Sequence, residues 1–332
     1  MISLLLTTFI LSVLFVYLIM KYSSFLGLED VPNARNSHKN VIPRSAGLGF
    51  VSAVLIAIGI FEFSHLVTYS YIYISIFLVM LVGLYDDKMD VSHRLKFIAL
   101  FLIAVYVCVN GVRIDTLGVY FNYHVDLPIW IAGPFTIIAI VGFTNALNLT
   151  DGLDGLAGAL SLIMFLAFFT IGIVHDDQLL IILSSTFIVS ILAFLIFNWH
   201  PAKIFMGDSG SLSLGLVISI LSIQALEYMT PSAMLFVIAL PLIDTFIVMR
   251  RRIQRGQSPF KADKNHIHHF MYKMKVDVKI SVMLLLYIQL ALSIMGYQMR
   301  QENQILSLAL FVLLLYIFLN LFDQRFRYRK KK

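Results

Sequence analysis

The chain has one cysteine among 332 residues, and only 13% of its residues carry a charge. A single thiol excludes a disulfide framework, and the place of Cys108 in the apolar run from Phe97 to Val109 says nothing of a redox compartment. Scarcity of charge excludes a soluble two-domain protein of this length, because 59% of the residues are hydrophobic and the mean hydropathy is +0.87. There is no internal repeat, low-complexity tract or heptad array. What the chain does have is one long apolar run after another, the composition of a protein that lives in a lipid bilayer.

Apolar runs fall near residues 2–20, 46–63, 66–85, 97–110, 128–147, 156–174, 179–197, 212–228, 232–249, 280–297 and 304–322. Crossing a hydrocarbon core takes roughly 20 apolar residues, so the pattern predicts an all-α, polytopic integral membrane protein with about eleven transmembrane helices. Residues 1–332 then form a single membrane domain, and no sizeable soluble domain remains. An odd number of crossings puts the termini on opposite faces and sorts the connecting segments into two alternating sets. One set holds 23 of the 25 basic residues, leaving only Arg113 and Arg300 in the other. The positive-inside rule makes the basic set cytoplasmic, with the N-terminus outside and the C-terminal tail inside. The net charge of +6 is therefore a topology signal and an anchor for anionic headgroups, not a nucleic-acid footprint. The first run lacks a basic n-region and a small-residue cleavage site, so a retained first helix is expected. From Arg113 to Leu127, alternating apolar and polar residues around Gly118 and Asn122 predict a small external hairpin.

Carboxylates near a membrane are costly without partners, so their positions point to function. Glu62, Asp115, Asp126, Asp176, Asp177, Glu227 and Glu302 are scattered over the external loops and read as solvated loop charges. The cytoplasmic edge is organised differently, with loops near residues 21–45, 86–96, 148–155, 198–211 and 250–279 forming one polar face. The third run ends in Asp86-Asp87-x-x-Asp90, crowding acids where a helix C-terminus disfavours them, and this calls for a cation or a proton. Arg94 and Lys96 follow, able to meet phosphate. Asn145, Asn148, Asp151 and Asp154 recur every three residues as a slowly winding polar stripe, and Gly152, Gly155 and Gly158 favour a helix break beside it. Gly207-Asp208-Ser209-Gly210 resembles the serine neighbourhood of trypsin-like proteases, but those folds are soluble β-barrels needing a positioned His and a buried Asp. A Gly-flexed turn aiming Asp208 at a metal, with Gly210 and Ser211 opening a helix whose amides face an anion, fits better. His266, His268 and His269 cluster in the longest basic loop; zinc is one option, though no Cys is near, and with Lys261 and Lys264 the cluster better suits a diphosphate. Asp244 is assigned no chemistry.

In this order, and on one face, the motifs resemble the polyprenyl-phosphate N-acetylhexosamine-1-phosphate transferase family (glycosyltransferase family 4). The matching blocks are Asp86-Asp87-x-x-Asp90, Asn145-x-x-Asn148-x-x-Asp151-Gly-x-Asp154-Gly, Phe205-Met-Gly-Asp208-x-Gly-Ser and His266-Ile-His-His269, spanning most of the chain. The likeness is greater to the UDP-GlcNAc branch than to the UDP-MurNAc-pentapeptide branch of peptidoglycan synthesis. Ser45-Ala46 stands where that branch commonly has glycines. The resemblance implies a multi-pass enzyme of the bacterial plasma (inner) membrane with a cytoplasmic active site. Such an enzyme moves a sugar 1-phosphate from a UDP-N-acetylhexosamine to undecaprenyl phosphate and releases UMP, initiating a cell-envelope polysaccharide such as O-antigen or a teichoic-acid linkage unit. It also implies Mg²⁺, with Mn²⁺ as a substitute, on Asp208 and Asn148, and it is compatible with a homodimer. Asp86, Asp87 and Asp208 would be catalytic; Lys96, Asn145, Asp151, Asp154, His266, His268 and His269 would bind substrate. The rival from another class is a polytopic transporter, which would place acids at mid-membrane and show repeated halves. Another membrane CDP-alcohol or prenyl-diphosphate transferase would need different acidic spacings.

Overall fold

The computed structural model describes residues 1–30, 41–258, 267 and 276–328. The N-terminal half comprises α1 (Ile2–Leu26), β1 (Glu29–Asp30), β2 (Ile42–Pro43), α2 (Ala46–Phe61), α3 (Phe63–Thr68), α4 (Ser70–Met89) and α5 (His93–Val109). A hairpin, β3 (Thr116–Tyr120) and β4 (Tyr123–Asp126), precedes α6 (Ile129–Thr150), α7 (Leu156–His175), α8 (Gln178–Asn198) and α9 (Gly207–Ala225). The remainder is α10 (Pro231–Val237), α11 (Ala239–Gln254), α12 (Val278–Gln298) and α13 (Gln304–Tyr328). Nine of the eleven apolar runs fall on a single helix each, whereas the run near 66–85 is divided between α3 and α4 and the run near 232–249 between α10 and α11. Among the described residues, seven helices are long and apolar enough to cross a membrane, and α10 with α11, bent by 88°, makes an eighth if the pair is one span. The chain is a mostly helical, multi-pass membrane protein.

Within a bilayer every polar group, side-chain or backbone, needs a protein partner, and two features of the sequence meet that demand. The hydroxyls of Thr8, Thr136, Thr150 and Thr186 bond back to carbonyls four residues earlier on their own helices. At the break between α10 and α11, the buried Gln289 of α12 accepts from Leu240 N at 3.0 Å and donates to Val237 O at 2.7 Å, replacing helix bonds lost to the bend.

The central helix is α9, buried along most of its length. Its Ser and Gly residues let neighbours approach closely, and Ser211, Ser213 and Ser219 satisfy their hydroxyls on carbonyls one turn back. Gly47 of α2 packs on the Gly210 backbone, and Gly83 of α4 packs on the Asp208 backbone, where a Cβ on either would collide. The N-terminus of α9 is thus clamped between α2 and α4.

The expected hairpin forms, with Tyr120 opposite Tyr123 and a two-residue turn whose Phe121 and Asn122 both have positive φ, the geometry that matches strand twist. One of the acids read as external, solvated charges differs from that reading. Asp177 is buried, caps α8 through Leu180 N at 2.9 Å, and accepts from Gln224 and Tyr228 at 2.9 and 3.0 Å, tying the α7–α8 turn to the end of α9.

Candidate active site

Five helix ends meet at one end of the bundle: the starts of α2, α5 and α9 and the finishes of α4 and α6. Asp86 lies in the last turn of α4 and Lys96 in the first turn of α5, separated by a turn in which Asp90 adopts a left-handed conformation at φ 49°. Ser92 caps α5, and Asp86 Oδ1 accepts from Val91 N at 3.0 Å, so the turn itself aims both side chains. The Lys96 ammonium donates to Asp86 Oδ2 at 3.2 Å, to Asn148 Oδ1 at 3.4 Å and to Asp208 Oδ2. Three oxygens from three helices therefore converge on one cationic atom. Their side chains are largely enclosed, with Lys96 at 11%, Asp86 at 17% and Asp208 at 26% exposure, so the charges interact with little screening by water. Asn148 fixes the geometry further, donating through Nδ2 to Asp208 Oδ1 at 3.0 Å and to Ser211 Oγ at 2.7 Å.

Asp87, adjacent to Asp86 in sequence, points the other way. It is 3% exposed and accepts from Ser45 Oγ at 2.7 Å, Asp208 N at 2.8 Å and Ser209 N at 3.3 Å. Its negative charge thus meets the positive N-terminal end of α9, which removes the unfavourable crowding read from the sequence. Two expectations are corrected here. The helix carrying Asp208 opens at Gly207, not at Gly210 and Ser211, and two of its first amides, those of Asp208 and Ser209, are taken by Asp87. Ser45 holds φ at 71°, a conformation natural to glycine, and the following amides of Ala46 and Gly47 donate to Phe205 O and Met206 O at 3.1 and 3.0 Å. That pairing pins the segment before Asp208 against the start of α2.

A second cluster adjoins the first. The helix break predicted beside the glycines occurs between Thr150 and Leu156, with Gly155 at φ 77°. Asp154 accepts from His200 Nδ1 at 2.6 Å and from Ala202 N at 3.0 Å. Asn198 binds Gly155 N at 2.9 Å and Ile204 O at 2.8 Å, so the two loops are tied at both ends. Asp151, just beyond α6, is partly buried and its carboxyl is pushed up to about 7, first by burial and then by the charges of Asp208, Asp87 and Asp154. Asn145 is half-buried on α6, and its side chain makes no hydrogen bond among the described residues. His266, His268 and His269 lie outside the described residues. Ile267, between them, donates its N–H to Asp244 Oδ1 of α11 at 2.8 Å, giving that buried acid a role the sequence did not suggest. Ser45, Asn198, His200 and Asp244 are residues to which sequence reasoning gave no role.

The donor set at Lys96 suits a hard divalent cation. Mg²⁺ prefers a few oxygens, keeps several waters, and takes one or two carboxylates together with substrate phosphates. Asp208 and Asn148 turn oxygens toward the point a cation already occupies, with Asp86 beside them. Among the described residues no three of His, Cys, Asp and Glu form a metal cage. An ion shared between protein and substrate needs none.

A model of the family described as Glycosyl transferase family 4 matches residues 69–226, a stretch that includes Asp86, Asp87, Lys96, Asn148, Asp154 and Asp208. The chain is 35% identical over 304 residues to the probable undecaprenyl-phosphate N-acetylglucosaminyl 1-phosphate transferase of Bacillus subtilis (strain 168), covering 88% of this chain and 83% of that protein. It is 29% identical over 285 residues to the undecaprenyl-phosphate alpha-N-acetylglucosaminyl 1-phosphate transferase of Escherichia coli (strain K12), covering 81% and 76%. To the Salmonella typhi protein of the same name it is 30% identical over 286 residues, with the same coverage.

Proposed function

Because this chain belongs to glycosyl transferase family 4, we propose that it transfers N-acetylglucosamine 1-phosphate from UDP-GlcNAc to undecaprenyl phosphate, giving undecaprenyl-diphospho-GlcNAc and UMP. The names of its relatives supply the acceptor and the sugar, and favour this reading over transfer of phospho-MurNAc-pentapeptide. The observation that carries the chemistry is the convergence of Asp86, Asn148 and Asp208 oxygens on the Lys96 ammonium.

An oxygen of the lipid phosphate attacks the β-phosphorus that bears the sugar. The bond from that phosphorus to the bridging oxygen breaks, and its electron pair leaves with UMP. Such a transfer asks little covalent chemistry of the protein but much alignment and charge neutralisation. Lys96 offsets phosphate charge at the point of attack. The nucleophile's second pKa is about 6, so Asp86 need only keep an already ionised phosphate free of its proton. When bound by Asp208 and Asn148, Mg²⁺, or Mn²⁺ in its place, would supply the positive charge that lets two phosphates approach. Asp87 acts from behind, holding the start of α9 so that Asp208 stays aimed. Asp154 and the backbone around it read the uracil, Asn145 and Asp151 line the same donor side, and His266, His268 and His269 grip the diphosphate.

On this reading the chain crosses a bacterial plasma membrane eleven times with its N-terminus outside. The site faces the cytoplasm, as the 23 of 25 cations in one set of connecting segments support. The product then starts a cell-envelope polysaccharide. Purified protein with Mg²⁺ and a panel of UDP-amino sugars should release UMP only when undecaprenyl phosphate is present. Folded protein that releases none across the panel would remove the transferase reading.

A further inference from the structure

His200 has no part in the transfer described above, yet it is the side chain that fixes how Asp154 presents its charge. Both hydrogen bonds to Asp154 end on the same oxygen: His200 Nδ1 lies 2.6 Å from Oδ2, and Ala202 N donates to it at 3.0 Å. An ionised carboxylate only accepts, so Nδ1 carries the hydrogen of that bond. The other oxygen, Oδ1, has no partner among the described residues and is not buried, on a side chain 22% exposed. The terminal torsion of an aspartate is soft, so its own rotamer does not decide which oxygen turns outward. Two donors on Oδ2 do. The loop that carries them is itself held in place. Asn198 ties it to Gly155 N and Ile204 O, Lys203 N donates to Phe197 O at 2.8 Å, and the Trp199 ring lies 3.0 Å from where a Cβ on Gly155 would stand.

We propose that His200 is a positioning residue for nucleotide choice: by holding Oδ2 of Asp154 it leaves Oδ1 as a fixed acceptor for the N3–H of a uracil base. The inference rests on the reading of Asp154 as a base-binding residue given above. Uracil offers a single ring N–H between two carbonyls, and a carboxylate oxygen meets it directly. Cytosine carries a lone pair at that nitrogen. A fixed Oδ1 then sets acceptor against acceptor and leaves both unpaired, a mismatch that a site built around hydrogen bonds rejects strongly. A carboxylate that can turn loses this discrimination, because it can swing toward the exocyclic amine of cytosine instead. Ala202 N alone leaves such a pivot, and the imidazole supplies the second point that stops it.

The two ring nitrogens make the test specific, since the side-chain amide of Asn reaches about as far as Nδ1 and that of Gln about as far as Nε2. In turnover assays of the full-length protein, His200→Ala should raise KM for UDP-GlcNAc about tenfold and leave KM for undecaprenyl phosphate and kcat unchanged. His200→Asn should restore most of the loss, and His200→Gln should not. Isothermal titration should show the preference for UDP over CDP shrinking about tenfold in His200→Ala and returning in His200→Asn. An unchanged preference in His200→Ala overturns the proposal, as does rescue by Gln in place of Asn, which would put Nε2 on the ligand. If Asp154→Asn loses the preference while His200→Ala keeps it, only the role of His200 falls; if Asp154→Asn keeps it, the base-binding premise falls as well. A protein that prefers UDP but releases no UMP from any UDP-sugar would support the base site and overturn the transfer.

Discussion

Replacing Lys96 with Met tests whether the three converging oxygens define one cation site. At 3.2 Å from Asp86 Oδ2 and an effective dielectric near 20, the ammonium gains about 5 kcal/mol of Coulomb attraction. Desolvating the lysine cancels part of this, and protonation of Asp86 relieves part of what its loss leaves behind. Removing one partner of a buried pair costs about 3–5 kcal/mol, and the residual exposure of Asp86 and Asp208 lowers the expectation to about 2–3 kcal/mol in metal-free protein. The ammonium also competes with Mg²⁺ for the oxygens of Asp208 and Asn148. Lys96→Met should therefore bind Mg²⁺ more tightly, by about tenfold or 1.4 kcal/mol, a fraction of the Coulomb figure. Turnover should nevertheless fall about 10²- to 10³-fold, the usual loss when a preorganised positive group is taken from a transition state that gathers charge. Isothermal titration with Mg²⁺ and an assay of UMP release read the two effects separately. Unchanged or weaker Mg²⁺ affinity would refute a shared cation site, and retained turnover would remove Lys96 from the phosphate.

Asp87→Asn leaves one of three donors facing an N–H in place of an oxygen, so thermal unfolding should show a loss of about 2–4 kcal/mol. Its turnover should fall while the pH–rate profile keeps its shape, because Asp87 positions Asp208 and moves no proton; an altered profile would contradict this. Gln289→Leu strands Leu240 N inside the bundle and leaves Val237 O only the 3.4 Å bond from Ser293, and should destabilise the protein by about 1–3 kcal/mol in a denaturation series, with KM for both substrates unchanged. Asp151 holds its proton up to about 7 in the folded, metal-free protein, against ~3.9 when unfolded. The folded state then binds more protons between those values, so its stability is full at low pH and is lost as pH rises through 7. Melting temperature in chelator should fall from pH 5 to pH 8, and Asp151→Asn should flatten that fall.

The helices were legible because a bilayer leaves the backbone no alternative to helices over long apolar runs; the breaks at Tyr69 and Ile238, inside two of those runs, were not. Asp86, Asn148 and Asp208 were legible because unpaired polar groups are costly beside a membrane. Their sharing of Lys96 was not, since Lys96 lies 112 residues from Asp208 and only packing brings them together. The same holds for Ser45 with Asp87, 42 residues apart, and for Asp154 with His200, 46 apart. Adjacent acids hid opposite roles: at successive helix positions the side chains diverge by about 100°, so Asp86 faces the cation while Asp87 meets the end of α9. Ser45 is a further case, because a residue standing in a glycine's place can be recognised in sequence while the carboxylate its hydroxyl serves cannot. Asp177 was misread as a solvated charge because nothing local to it announces Gln224 and Tyr228.

In the proposed reaction a phosphorus atom moves with the sugar. UDP-GlcNAc carrying ³²P only at the β position, incubated with the purified protein, undecaprenyl phosphate and Mg²⁺, tests it most directly. All of the transferred label should extract into butanol with the lipid, and the aqueous nucleotide should be unlabelled UMP. Label recovered as UDP with an unlabelled glycolipid, or as soluble GlcNAc 1-phosphate without lipid product, would contradict it.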